Sequence, residues 1–104
     1  MSILTEDGDR ISPSHLDVRV LIALSNTSLN SYQIVRHALS DADNHRIISN
    51  GSIRPSIARL EASGLIKRED AGYYSLTSLG ADVLEIELKR LERLVRLAQR
   101  RRRA

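Results

Sequence analysis

The chain has 104 residues, 41% hydrophobic and 28% charged, which gives room for one domain with a modest core and excludes a wholly disordered polypeptide. It has no cysteine, so a disulfide framework and thiolate metal sites are excluded, and its aromatic residues are all tyrosine, which leaves the core to Leu, Ile, Val and Ala and favours helices. The formal charge of +3 is unevenly placed: residues 85–104 hold eight Lys or Arg against three Glu, a surplus of +5, while the other 84 residues carry −2.

The opening "MSILTEDGDR" is acidic and polar, unlike a secretory signal, and no apolar run reaches the length of a membrane span. We therefore expect a cytoplasmic protein without a membrane partner. Residues 1–11 lack helical periodicity and read as a flexible N-terminal arm.

Structure is expected to begin at "SPSHLDVRVLIALS", where Ser14 and Asp17 form a capping box with Asp in place of Glu. Leu16, Val20, Leu21 and Leu24 then recur at helical spacing, and the helix ends near Ser25. "NTSLN" reads as a turn. A second cap-like pair, Asn30 and Gln33, opens a short helix with an apolar face of Tyr32, Val35 and Leu39 flanked by Ile34 and Ala38. "DADN" ends it.

A third helix starts between Asn50 and Ile53. With Ser52 as its cap, Pro55 falls at the third helical position, where no intrahelical donor is required. Gly64 supplies the stop. "LIKRE" and "YYSLT", separated by "DAG", read as a β-hairpin, and Thr77 or Ser78 caps a last helix running from Ala81 to about Arg100, roughly 30 Å long. The fold class expected is mainly α with a small β-hairpin. The order of elements is that of a winged helix-turn-helix over residues 12–78, with a long C-terminal dimerisation helix and basic tail over 79–104.

The third helix carries the functional signal. At about 100° per residue from Ile53, Ile57 falls at about 40° and Leu60 at about 340°, which defines the buried side. Arg54, at about 100°, and Arg59, at about 240°, flank an outward face of Pro55, Ala58 and Ala62. Small residues between two guanidinium groups suit entry into a major groove. Ser49 and Ser52, beside free amides at the helix start, suit a phosphate oxygen, and the hairpin adds Lys67 and Arg68. Glu69 and Asp70 beside those cations imply a short, weak wing. A solvated surface would also accept paired arginines; the order of elements around them favours DNA.

"LIALSNTSLNSYQIV", "SNGSIRPSIARLEASGLI" and "YYSLTSLG" together resemble the PadR-like transcriptional regulators. Tyr32 matches the tyrosine of the family's second helix, with Ser31 in place of the usual Gly. Ser49, Gly51, Pro55, Leu60, Glu61, Gly64, Leu65 and Ile66 match its recognition-helix signature. The resemblance extends from Val18 to Leu84, with Arg54 where the family commonly has Tyr and a wing several residues shorter than usual. It implies a homodimeric repressor of double-stranded DNA, joined through the C-terminal helix.

The residues of that helix point the same way. Leu84, Leu88, Leu91, Val95 and Ala98 recur at alternating spacings of four and three, the seam of a helix packed lengthwise on another, broadened by Val83, Ile86, Leu94 and Leu97. Leu79, Val83 and Ile86 are expected to be hidden by the chain's own domain. Folding back on its own domain and lying on a membrane surface are the competing readings of the helix, the second disfavoured by the absence of Trp and Phe.

His15, His37 and His45 share no ligand spacing, and "DADNH" is better read as a helix-ending loop than as a cation site. No nucleophile arrangement, phosphate-binding glycine loop or acid–base pair suggests an enzyme, a metal or a cofactor. A small-molecule effector is left open, with space between dimer helices as its place. The other reading of function is a winged-helix protein-interaction module or a non-specific DNA-organising protein.

Overall fold

In the computed structural model, which describes residues 3–4, 10–11, 13–38 and 50–103, a capping box opens the first helix, α1 (His15–Ala23). The Asp17 amide donates to Ser14 Oγ at 3.1 Å and the Ser14 amide to Asp17 Oδ2 at 2.9 Å, so two otherwise orphaned donors are satisfied. Ahead of α1 in the order of elements, the strands β1 (Ile3–Leu4) and β2 (Arg10–Ile11) pair antiparallel, with Ile3 opposite Ile11. A two-residue pairing within the first eleven residues leaves no periodic signature, which is why the sequence reads there only as an arm.

The second helix, α2 (Ser31–Ala38), starts with the same reciprocal device: the Gln33 amide donates to Asn30 Oδ1 and the Asn30 amide to Gln33 Oε1, both at 2.9 Å. Its last carbonyl, of Ala38, accepts from Arg19 Nε at 3.0 Å, so a side chain of α1 closes the end of α2. Ile34, Val35 and Ala38 face the core. Tyr32 does not: it is 64% exposed and lies under the Arg36 guanidinium, 5.9 Å from the ring centroid. Leu39 lies outside the described residues.

The third helix, α3 (Asn50–Ala62), begins at the early end of the expected range. Ser52 is therefore its third residue rather than its cap, and Pro55 its sixth rather than its third, one intrahelical donor being forgone in the second turn. Ile53, Ile57 and Leu60 are buried, as their angular positions require, and Ser56 joins them. The helix ends in a Schellman motif: the Leu65 amide donates to the Leu60 carbonyl at 3.0 Å and the Gly64 amide to that of Glu61 at 3.1 Å, with Gly64 at φ +79°.

The wing follows: β4 (Ile66–Arg68), a 3₁₀ turn at Asp70–Gly72, and β5 (Tyr73–Leu76), closed by the Glu69 amide on the Tyr73 carbonyl at 2.6 Å. Ile66 stands opposite Leu76, Lys67 opposite Ser75 and Arg68 opposite Tyr74. A third strand, β3 (Leu29–Asn30), pairs with β5 from the other side, so the sheet order is β3-β5-β4. The "NTSLN" turn thus ends in a strand, because Leu29 is buried while its backbone completes the β5 edge.

Thr77 caps the long last helix, α4 (Ser78–Arg103), whose 26 residues extend about 39 Å. The Gly80 amide donates to Thr77 Oγ1 at 3.0 Å, and the Thr77 hydroxyl in turn lies 2.6 Å from the Gly64 carbonyl and 3.0 Å from that of Leu65. One side chain therefore ties the end of α3 to the start of α4. The core lies between α1, α2, α3 and the first turns of α4, with Val20, Leu21, Ile34, Ile53, Leu60, Leu65, Ile66 and Val83 all but inaccessible. Each such burial contributes about 2 kcal/mol. No helix among the described residues is long and apolar enough to cross a membrane.

Candidate nucleic-acid interface

The Ile53–Ile57–Leu60 stripe anchors α3 to the core and leaves Arg54, Pro55, Ala58, Arg59, Glu61 and Ala62 exposed on the other side. The outward surface is shallow between its two arginines, since Pro and Ala occupy the centre. A helix of this profile can sit deep in a groove without its own side chains holding it away.

Arg59 Nη2 forms an ion pair with Asp17 Oδ1 across the α1–α3 contact, and Ser56 Oγ donates to the same oxygen. The Asp17 side chain is 3% exposed and that of Arg59 55%. A carboxylate taken out of water needs its bonds met, and this one has the Ser14 amide, the Ser56 hydroxyl and the Arg59 guanidinium. Sequence reasoning assigned Asp17 to capping alone. Its signal was available: Asp17, Val20, Leu21 and Leu24 stand at i, i+3, i+4 and i+7, so the carboxylate lies on the buried stripe of α1, as Ser56 does between Ile53 and Leu60.

Within the wing, the pleat separates the two cations expected to act together. Lys67 and Arg68 are neighbours on β4 and point to opposite faces. Arg68 shares its face with Ile66, Tyr74 and Leu76, and its guanidinium stands 6.0 Å from the Tyr74 centroid. Tyr74 packs against the core, so Arg68 is held over it. Lys67 is exposed on the other face with Ser75 and, two residues from Ser75, the 39% exposed Tyr73. Of the paired tyrosines, Tyr74 turns inward and Tyr73 outward. Ser49 lies outside the described residues, as do Asp41, Asp43 and His45; Ser52 sits within the first turn of α3. Among the described residues no group of three His, Asp or Glu is placed to hold a metal ion.

The seam of α4 divides into two parts. Leu84 is 7% exposed and belongs to the chain's own core, because it sits one turn past Gly80 where α4 still meets α1. Leu88, Leu91 and Val95 are 38%, 37% and 55% exposed, and Ala98 is exposed as well. Ile86, expected to be hidden, is 39% exposed, and its place in the inner surface is taken by Glu87. The buried Glu87 carboxylate accepts from Arg90, at 3.1 Å from Nε, and that hydrogen bond holds its pKa below the usual carboxylate value against the opposing effect of burial. The same pair raises the pKa of Arg90.

No family model matches the chain, and no curated protein matches it in sequence. Solved structures do match. A PadR family transcription regulator from hypervirulent Clostridium difficile R20291 is 21% identical, with a TM-score of 0.72 over 84% of this chain and 97% of that one. A transcriptional regulator from Clostridium thermocellum is 22% identical, with a TM-score of 0.69 over 83% of this chain and 88% of that one. The three-helix core, wing and long last helix expected from the sequence are thus a fold shared with solved regulators: this chain is a winged helix-turn-helix.

Proposed function

We propose that the chain is a sequence-specific regulator of transcription that binds double-stranded DNA as a homodimer and acts as a repressor in the cytoplasm. The carrying observation is the outward surface of α3, with small residues at its centre and Arg54 and Arg59 at its sides, beside a wing that exposes Lys67. In this reading α3 enters the major groove, Arg54 and Arg59 reach bases or phosphates, Lys67 lies along the neighbouring backbone, and Arg68 supports the wing from its inner side. Ser49 and Ser52 keep, in this reading, the phosphate contact expected of them from the sequence. Leu88, Leu91, Val95 and Ala98 form the dimer seam, and two α3 helices then meet half-sites about one helical turn apart. The description of the two solved neighbours as transcription regulators supports the same reading.

The test is a fluorescence-anisotropy titration against a duplex selected by the chain from a randomised pool and against its scrambled version, each at several salt concentrations. Tight binding to the selected duplex that persists where salt abolishes the scrambled one is the expected result. Lys67→Ala should weaken both by similar factors and reduce the salt slope by about one. Equal, steeply salt-dependent binding to both duplexes would show attraction by the arginine-rich end of α4 and rule out sequence reading.

A further inference from the structure

We propose that Asp17, a buried residue of α1 directly behind the DNA-facing surface, is a positioning residue for DNA recognition: from inside the core it fixes the Arg59 guanidinium in the orientation that reads the groove. The proposal rests on the DNA-binding reading above and adds to it a residue outside the recognition helix.

Three observations carry it. Asp17 engages one corner of the guanidinium, Nη2, while more than half of the Arg59 side chain stays exposed. The remaining donors of that group have no partner among the described residues. Arg presents five donors in a planar fork, so holding one corner sets the direction of the others, which a flexible ammonium would not inherit. Second, Asp17 is itself immobilised: Oδ2 accepts the Ser14 amide at 2.9 Å and Oδ1 the Ser56 hydroxyl, so the anchor cannot swing with its ligand. Third, Ser56 is on α3 and Asp17 on α1, so the cluster joins the helix that would read DNA to the one beneath it.

The orientation lowers the ordering cost of binding. A long side chain fixed before it meets DNA does not lose its rotamer freedom on contact, and the gain applies only where the groove offers an acceptor in the fixed direction. Asp17 therefore adds to discrimination and not to general attraction for phosphate.

The experiment measures binding of wild type, Asp17→Asn and Arg59→Lys to the selected and scrambled duplexes, with the melting temperature of each variant. Asp17→Asn keeps the volume and an acceptor but removes the charge that holds the guanidinium. Arg59→Lys keeps a cation for Asp17 and removes the fork, so it tests the proposal even where the Asp17 variant does not fold. We expect each to lose roughly tenfold on the selected duplex with little change on the scrambled one, and the double variant to lose no more than the worse single, since both act through one contact. Equal losses on the two duplexes that follow the melting temperature, additive losses in the double variant, or unchanged discrimination would overturn the positioning role while the wild type still discriminates. A wild type that fails to discriminate overturns the regulator reading and this proposal with it.

Discussion

Gly80 lies so close to Leu65 that a Cβ built on it would stand 1.9 Å from the Leu65 carbonyl oxygen and 2.9 Å from its carbon. The obstacle is backbone, which cannot rotate aside. That carbonyl also accepts the Thr77 amide at 3.1 Å, so displacing α4 to make room would disturb the junction that starts the helix. Gly80→Ala should therefore destabilise the chain by about 3 kcal/mol or more, beyond what a helix-propensity gain of about 1 kcal/mol returns. Urea unfolding followed by circular dichroism measures it. A stability equal to or above wild type would show that α4 does not approach the α3–β4 turn this closely.

Ala71 occupies the left-handed region at φ 63° in the wing turn, beside Gly72 at φ 78°. The first of these positions has a Cβ where none is favoured. Ala71→Gly should stabilise the chain by up to about 1 kcal/mol, the relief of strain exceeding the entropy added to the unfolded chain. The urea midpoint should rise with an unchanged slope. A lower midpoint would place the turn in another conformation.

Glu87 supplies a pH dependence with a definite sign. Its pKa is lowered in the folded chain, chiefly by the hydrogen bond from Arg90, so the unfolded chain binds its proton first as acid is added. The stabilisation is present in full above the ordinary carboxylate value of the unfolded chain and is lost as pH falls through the lower folded value. Thermal melts between pH 6 and about pH 3 should show wild type losing stability more steeply than Glu87→Gln at the acid end. Parallel curves would mean that the pair does not form. Arg90→Met should have the opposite character, leaving a buried carboxylate that gains stability on protonation.

Much of the fold was legible because local signals agreed with one another. Ser14–Asp17, Asn30–Gln33, Gly64 and Thr77 mark their helix ends in the sequence and do so in the structure. What escaped depends on contacts between residues far apart in the chain. β3 is two residues long and is defined only by its pairing with β5, more than forty residues later in the chain. Tyr32 reads as core by spacing but lies beyond the edge of the buried stripe, over Arg36. The candidate site was legible in residue type and less so in attachment: periodicity finds the exposed side of α3, but the 42-residue separation between Asp17 and Arg59 is closed only by the packing of α1 on α3.

The exposed part of the α4 seam makes the proposed dimer testable without damage to the monomer fold. Leu91 and Val95 are one turn apart, 37% and 55% exposed, and neither belongs to the chain's own core. In the dimer both would be covered, and a charge placed there would meet apolar surface without a partner. Leu91→Glu should weaken self-association by at least about a hundredfold, close to 3 kcal/mol, while the melting temperature of the monomer changes little. Leu84→Glu provides the contrast: its side chain is in the core, so this change should unfold the chain itself. Sedimentation equilibrium on wild type and Leu91→Glu separates the cases, and a dimer that survives the charge would move the interface off this seam. If one dimer holds two half-sites, as proposed, losing it should also cost the selected duplex far more affinity than the scrambled one, where each protomer binds phosphate on its own.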